Sequence, residues 1–314
     1  MSPAQPKTVE SAAKTRAQGV AATLGAFVMW GFAPIYFKSV GRAGALEILS
    51  HRVVWSVVLL LAVVAATRSR AEVREALGGP RRWVLLFITS LLISGNWLLY
   101  IWAVNAGHIV DSSLGYFINP LVNVALGALF LSERFTRAQG VAIGLACAGV
   151  ASFVWSFGKL PWLSLVLPVQ FGLYGLLRKK ASIDPLVGLL AETALLLPLA
   201  LGYLGWLAAR GEAATLANGV GFFLLLAFAG VMTALPLLLF GHGAQRLRLS
   251  TVGLIQYVSP TCQLAAGVLL YGELFTKAHA VAFAFIWAGL LLYSVDAIRR
   301  ANSVARAERP EPQA

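Results

Sequence analysis

Three ionisable residues, Glu47, His51 and Arg52, fall together inside an otherwise apolar run. On a helix Glu47 and His51 share a face, and Arg52 lies about 100° further round. A charge at the centre of a bilayer costs roughly 2.5–3.5 kcal/mol or more. Such groups therefore sit at an interface or are paired in a wet interior. Glu47, near the start of its run, is expected at the interface, with His51 and Arg52 one to two turns deeper. The chemistry open to them is a gating pair, an anion contact or a proton step. Snorkelling or a structural pair is the plain alternative. Glu192 is the other carboxylate inside an apolar run.

Uncharged polar residues form a second set. Tyr116, Asn119 and Asn123 share one helical face around Pro120, and Gln256, Ser259 and Gln263 stand the same way around Pro260. Asn96 and Tyr100 are one turn apart, with Asn105 further along the same run. Amides in an apolar medium are costly unless hydrogen-bonded, and proline frees a carbonyl one turn earlier, which is useful beside a partner or a wet cavity. The two stripes are candidate walls of a solute cavity, with Trp30, Trp102, Tyr116 and Tyr257 as candidate aromatic lining. Interhelical hydrogen bonding alone is the competing reading.

The elements that carry these residues occur twice. A constant shift of 140 positions lays 113–153 on 253–293 without a gap, pairing Pro120 with Pro260, Gly127 with Gly267, Glu133 with Glu273 and Gly149 with Gly289. The same register takes Arg52 to Glu192, so opposite charges at matching places could form a gate between the copies. This is a duplicated unit.

With 59% hydrophobic and 12% charged residues among 314 and a mean hydropathy of +0.77, the chain falls far below the roughly 25% charge of a soluble domain. Apolar runs near 19–40, 46–66, 83–106, 112–131, 138–157, 160–177, 186–208, 219–241, 250–271 and 277–297 predict ten membrane-spanning helices in an all-α membrane protein. The first is too long for a signal-peptide core. The net charge of +12 does not point to nucleic acid, because the basic residues lie between the apolar runs rather than on a folded surface.

Placing the N-terminus in the cytoplasm puts 19 Lys and Arg inside and 5 outside, with Arg52 within a helix. The positive-inside rule then assigns both termini to the cytoplasm. Because the shift carries the fourth helix to the ninth and the fifth to the tenth, each copy holds five helices. An odd number means that the copies cross the membrane in opposite directions, the inverted repeat of a transporter. The expected organisation is a tail at 1–18, repeats at 19–157 and 158–298, and a tail at 299–314.

Gly140, Gly144 and Ala148, with mates Ala280, Ala284 and Ala288, form stripes of small residues that predict close helix packing, within the chain or as a homodimer. Cys147 and Cys262 are expected to be small buried residues. Glu133 and Glu273 are expected in turn or capping roles. No phosphate-binding Gly-Lys-Ser/Thr loop, His-Glu-x-x-His or Gly-x-Ser-x-Gly motif occurs, and the four histidines are scattered. ATP hydrolysis and the familiar metal and serine hydrolases are therefore not expected, nor is any cofactor or metal.

Several stretches carry a family resemblance: SHRVVWS at 50–56, GNWLLYIWAVN at 95–105, SLGYFINPLVN at 113–123, RLRLST at 246–251 followed by Gln256-Tyr257, and FAFIW at 283–287. They resemble the RarD proteins of the EamA-type drug/metabolite transporters, from about Gly19 to Ala297. The resemblance implies a bacterial inner-membrane permease of two EamA repeats, with chloramphenicol resistance attached to the family. It implies no agreed set of site residues.

The expected function is a secondary transporter of a small organic metabolite or drug, working in the lipid bilayer by alternating access. Protons are a candidate coupling ion, and Glu47, His51 and Glu192 are candidate carriers. The rivals are a non-transporting membrane assembly protein, which has no use for mirrored polar stripes, and an intramembrane enzyme, which needs convergent nucleophile and base.

Overall fold

The computed structural model describes residues 6–131, 136–181, 183–247 and 249–307. Among them, nine helices are long and apolar enough to cross a membrane: α1 (Thr15–Ser39), α2 (Ala45–Thr67), α3 (Pro80–Asn105), α4 (Ile109–Phe130), α5 (Arg137–Ser156), α7 (Pro185–Ala209), α8 (Ala214–Ala244), α9 (Thr251–Leu270) and α10 (Lys277–Arg299). The expected sixth run is also helical, and its apolar part, α6 (Trp162–Arg178), is shorter than the other nine. The architecture is thus all-helical, as composition requires: with no water to satisfy backbone polar groups, a segment crossing lipid must close its own hydrogen bonds.

The tails carry more regular structure than their polarity predicts. The helix of α1 begins at Pro6, and that of α10 runs on to Ala307. Residues 1–5 and 308–314, like Glu133, lie outside the described residues.

Helix ends are set by local chemistry. Ser69 and Thr136 each open a helix with a reciprocal capping box, to Glu72 and Gln139. Asp184 caps α7 by accepting from the Leu186 and Val187 amides at 3.0 and 3.1 Å. Glu273 caps another element altogether: its carboxylate accepts from the Ile109 and Val110 amides at the start of α4, at 2.9 and 2.8 Å. The capping role expected for Glu273 is thereby located. Glu47 does the same for α8, accepting from Ala214 at 2.9 Å. Glu47, in the first turn of its helix, is buried within the protein, because the α8 N-terminus folds over it.

Three spans are interrupted. α1 breaks at Phe32, two residues before Pro34. α8 is kinked at Gly219, whose φ of 75° only glycine adopts without strain. α9 consists of Leu249–Ile255, Val258–Ala265 and a π-turn at Ala266–Leu270. Its break falls at Gln256-Tyr257, where Pro260 has no amide to offer the Gln256 carbonyl.

α5 packs along α10, α4 along α6, α2 along α7 and α1 along α8; α1 also meets α9, α3 meets α6 and α7, and α8 meets α2. The α5–α10 crossing is close and reciprocal. A Cβ on Gly149 would stand 3.0 Å from the Ala282 carbonyl oxygen, and one on Gly289 would stand 2.8 Å from that of Ala142. The buried surface there is Ala142, Ala146 and Gly149 against Ala282, Ile286 and Gly289. Within the chain, the helices meet on this face and not on the stripe read from the spacing. Gly144, Ala148, Ala280, Ala284 and Ala288 are exposed, and a Cβ on Gly144 would meet nothing within 4 Å. Both faces are rich in small residues, and spacing alone could not choose between them. Cys147 is likewise exposed rather than buried, and Cys262 is half-buried.

Candidate functional site

Between the helices lies a cavity of roughly 340 Å³, at the lower end of the ~300–1000 Å³ range of small-molecule pockets. Two aromatic groups, Phe27 with Trp30 and Phe240, and Phe37 with Tyr100 and Tyr116, form much of its wall. Polar groups enter singly: Asn96 from α3, Asn119 from α4, and Gln256, Ser259 and Gln263 from the broken α9. The break lets α9 present Gln256 and Ser259 to the cavity, with the Gln256 carbonyl accepting from the Ser259 amide at 3.2 Å in place of the missing proline N–H.

Of the expected lining residues, the structure brings Trp30, Asn96, Tyr100, Tyr116, Asn119, Gln256 and Gln263 to the cavity. Asn105, Asn123 and Tyr257 are not among its lining. Asn105 is at the end of α3, where its carbonyl accepts from Lys38 Nζ at 3.4 Å. Asn123 turns its amide towards Gly172 of α6. The Tyr257 ring stacks on Phe117 with centroids 6.4 Å apart, inside the packing of α4 against α10. Trp102 also packs elsewhere, against His108 and Trp162.

Many lining polar groups are tied down on one side only. Asn96 Nδ2 donates to the Leu167 carbonyl at 2.9 Å. Gln263 Nε2 donates to Trp30 O at 3.3 Å and Ser259 Oγ at 3.2 Å, while its Oε1 has no partner among the described residues. Asn119 Oδ1 and the Tyr100 hydroxyl are in the same position. A buried polar atom left without a partner costs about 1–3 kcal/mol. These three belong to side chains that line the cavity, so a small rotation of any of them would offer a polar solute an unsatisfied partner.

Of the four expected gating or coupling residues, Arg52 reaches the cavity. Its Nε donates to Thr233 Oγ1 at 2.9 Å, and its guanidinium lies over the Trp97 ring at 4.1 Å and the Phe37 ring at 5.8 Å. A guanidinium stacked on indole gains a cation–π attraction. His51 is buried near Phe223, 6.1 Å between ring centroids, and its Nδ1 has no hydrogen-bond partner among the described residues.

Glu192 is fully buried and accepts from Thr89 Oγ1 at 2.7 Å and Tyr174 Oη at 3.1 Å, with Arg178 Nη1 at 3.6 Å. Its ionic partner is therefore Arg178, and Arg52 and Glu192 do not pair in this structure. The charge-swap gate read from the register has no geometric counterpart here, because each residue is held by its own neighbours on a different helix. Tyr174 lines the cavity, so the Glu192 cluster adjoins it through one side chain.

The sequence reading overlooked Phe37, Trp97, Tyr174 and Thr233. Tyr174 could have been found by the rule that found Asn96 and Tyr100, since it stands one turn from Gln170 in an apolar run. Nothing in the sequence singles out Trp97, and only the tertiary structure puts it under Arg52.

The chain's relatives accord with this arrangement. The model of the EamA-like transporter family matches residues 17–155. An uncharacterized transporter of Vibrio cholerae is 47% identical over 290 residues, 92% of this chain and 96% of that protein. Protein RarD of Escherichia coli is 44% identical over 91% of this chain and 97% of that one. The chloramphenicol-sensitive protein RarD of Pseudomonas aeruginosa is 33% identical over 92% and 97%. One solved crystal structure superposes with a TM-score of 0.57 at 17% identity, covering 90% of this chain and 98% of the other, a likeness of fold alone. With full-length relatives of this identity and a cavity inside a bundle of membrane-spanning helices, the chain belongs to the EamA-like transporter family, among its RarD-type permeases.

Proposed function

We propose that this protein is a secondary transporter that moves a small organic solute across the bacterial inner membrane by alternating access. Ten helices form two inverted five-helix units, and both termini are cytoplasmic. The observation that carries the reading is the cavity wall: Tyr116 and Asn119 of the first unit and their mates Gln256 and Ser259 of the second all line it. A solute site shared by equivalent positions of two oppositely oriented units can be exposed to either side by rocking one unit on the other.

Packing supports the two-fold relation. The 140-residue shift converts the α4–α6 contact into α9–α1, and the α1–α8 contact into α6–α3. It also exchanges the two glycine contacts of the α5–α10 crossing. The lining runs from Phe37, Arg52 and Tyr100 towards Leu189, Phe240 and Val252, which lie nearer the helix ends on the side of the termini. This corresponds to an inward-facing state. The opposite end is tied together by the Glu47 and Glu273 caps and by Arg42 Nη1 to Asn218 Oδ1 at 3.2 Å. Proton coupling would use Glu192, the fully buried carboxylate next to Tyr174.

The test is flux in sealed proteoliposomes, with and without an imposed pH gradient, against a panel of metabolites and chloramphenicol. Gradient-driven flux that Glu192→Gln uncouples from the pH gradient is expected. Downhill flux indifferent to the gradient would remove the proton and keep the carrier. No flux of any compound that the folded protein binds would remove the carrier.

A further inference from the structure

We propose that the Arg52 end of this cavity is an anion site, and that the transported solute is an organic monoanion whose carboxylate docks end-on against the guanidinium of Arg52. The inference rests on the carrier reading for the word transported, but the site itself rests on side-chain geometry.

Arg52 is the only charged side chain among the described lining residues, and it has no carboxylate partner among the described residues. Its nearest acidic neighbours in sequence and repeat are occupied elsewhere: Glu47 caps α8 and Glu192 holds Arg178. The guanidinium is fixed on two sides, by Thr233 on Nε and by the Trp97 face at 4.1 Å. Neither Nη nitrogen donates to a described residue. A guanidinium held by its Nε and one face presents the paired Nη1 and Nη2 donors, the fork that matches a carboxylate with two parallel hydrogen bonds.

The surroundings extend the donor set. Phe37, which lies under the guanidinium, meets the Tyr100 ring at 5.9 Å, and Tyr100 meets Tyr116 at 5.5 Å. Both tyrosines are within electrostatic range of Arg52. Both rings line the cavity and neither hydroxyl bonds a described residue; that of Tyr100 is enclosed, which leaves the Tyr116 hydroxyl as the donor nearer the open space. One fixed cation with unclaimed hydroxyl donors beside it is complementary to one negative charge. Towards the other end the wall turns aromatic, with Trp30, Phe171 and Phe240. The solute that fits both ends carries a carboxylate on an apolar or aromatic body. A dianion lacks a second cation, and an organic cation meets Arg52 unfavourably.

The test measures binding to the purified full-length protein in lipid nanodiscs, by thermal shift and tryptophan fluorescence. The probes are benzoate, phenylacetate and indole-3-acetate, each against its neutral amide and its amine. The carboxylates are expected to bind at least about tenfold more tightly than the amides, the smallest preference the proposal allows. Arg52→Gln should abolish that preference, and Arg52→Lys should keep it in weakened form. Tyr116→Phe, a change of one oxygen at a site that tolerates the ring, should weaken the carboxylates several-fold and leave the amides unchanged, even if Arg52→Gln fails to fold. Amides binding as well as carboxylates, a preference that survives in Arg52→Gln, or no carboxylate binding to folded wild-type protein would each overturn the site. Binding without flux would remove the carrier reading and leave the anion site standing. Flux of a neutral compound that Arg52→Gln does not alter would do the reverse.

Discussion

Replacing Glu192 tests the buried network most directly. The carboxylate is fully buried, and three groups depend on it: the Thr89 hydroxyl at 2.7 Å, the Tyr174 hydroxyl at 3.1 Å and Arg178 at 3.6 Å, whose side chain is 13% exposed. Glu192→Leu removes the acceptor and leaves a nearly buried guanidinium without its anion. Breaking one side of such a pair typically costs about 3–5 kcal/mol. Thr89 softens the loss, since it also donates to the Leu86 carbonyl at 3.1 Å, whereas Tyr174 has no second acceptor among the described residues. Glu192→Gln keeps the shape and one carbonyl acceptor, so it should lose only the charge-assisted part, about 1.5–3 kcal/mol. The double variant Glu192→Leu with Arg178→Met removes both charges and should recover much of the deficit, giving a coupling of ~1–3 kcal/mol. Reversible unfolding in mixed detergent–lipid micelles should therefore rank wild type above Glu192→Gln, and Glu192→Gln above Glu192→Leu, with the double variant above Glu192→Leu. Glu192→Leu within about 0.5 kcal/mol of wild type, or strictly additive single effects, would refute the network as a stabilising unit.

Three other outcomes follow from local geometry. Gly289→Ala should destabilise the α5–α10 crossing by about 1–3 kcal/mol, because the new Cβ meets the Ala142 carbonyl. Gly144→Ala, in open space on the same pair of helices, should instead gain a few tenths to about 1 kcal/mol through backbone entropy; equal effects at the two sites, measured by the same unfolding assay, would remove the assigned packing face. Glu273→Ala should cost about 1–2 kcal/mol by uncapping α4, and Glu273→Gln should recover part of it; no loss in thermal stability would show that the cap is idle. Partial burial works to raise the Asp184 carboxyl, but the Val187 amide, Arg68 and the Leu186 amide together hold it below the usual aspartate range. A carboxyl lowered by folding stabilises fully above its unfolded value of about 3.9, and that contribution is lost as pH falls through the folded value. The stability difference between wild type and Asp184→Asn should therefore shrink below about pH 4, and a difference that persists unchanged to pH 2 would contradict the ion pair with Arg68 at 3.0 Å.

The sequence by itself determined that this chain lives in a membrane, where its spanning helices begin and end to within a few residues, and that its polar side chains recur in two matched sets. These properties are one-dimensional. Lipid demands a certain length of apolar chain with its backbone bonds closed internally, and that demand can be checked residue by residue. Glu273 was legible for a similar reason, since a carboxylate in a short turn has few tasks beyond satisfying helix ends. Neighbours across the bundle were not legible. A helical position fixes an angle of about 100° per residue but not which helix lies at that angle. Asn123 and Tyr257 therefore sit one turn or one position away from lining residues and yet face other helices. Within the chain, α5 meets α10 through Ala142, Ala146 and Gly149, on the face adjoining Gly144 and Ala148. Only the tertiary structure gave Glu192 to Arg178 and left Arg52 to Thr233 and Trp97. Packing decides these pairings, because in lipid helices find one another by close steric fit and a few polar contacts rather than by hydrophobicity.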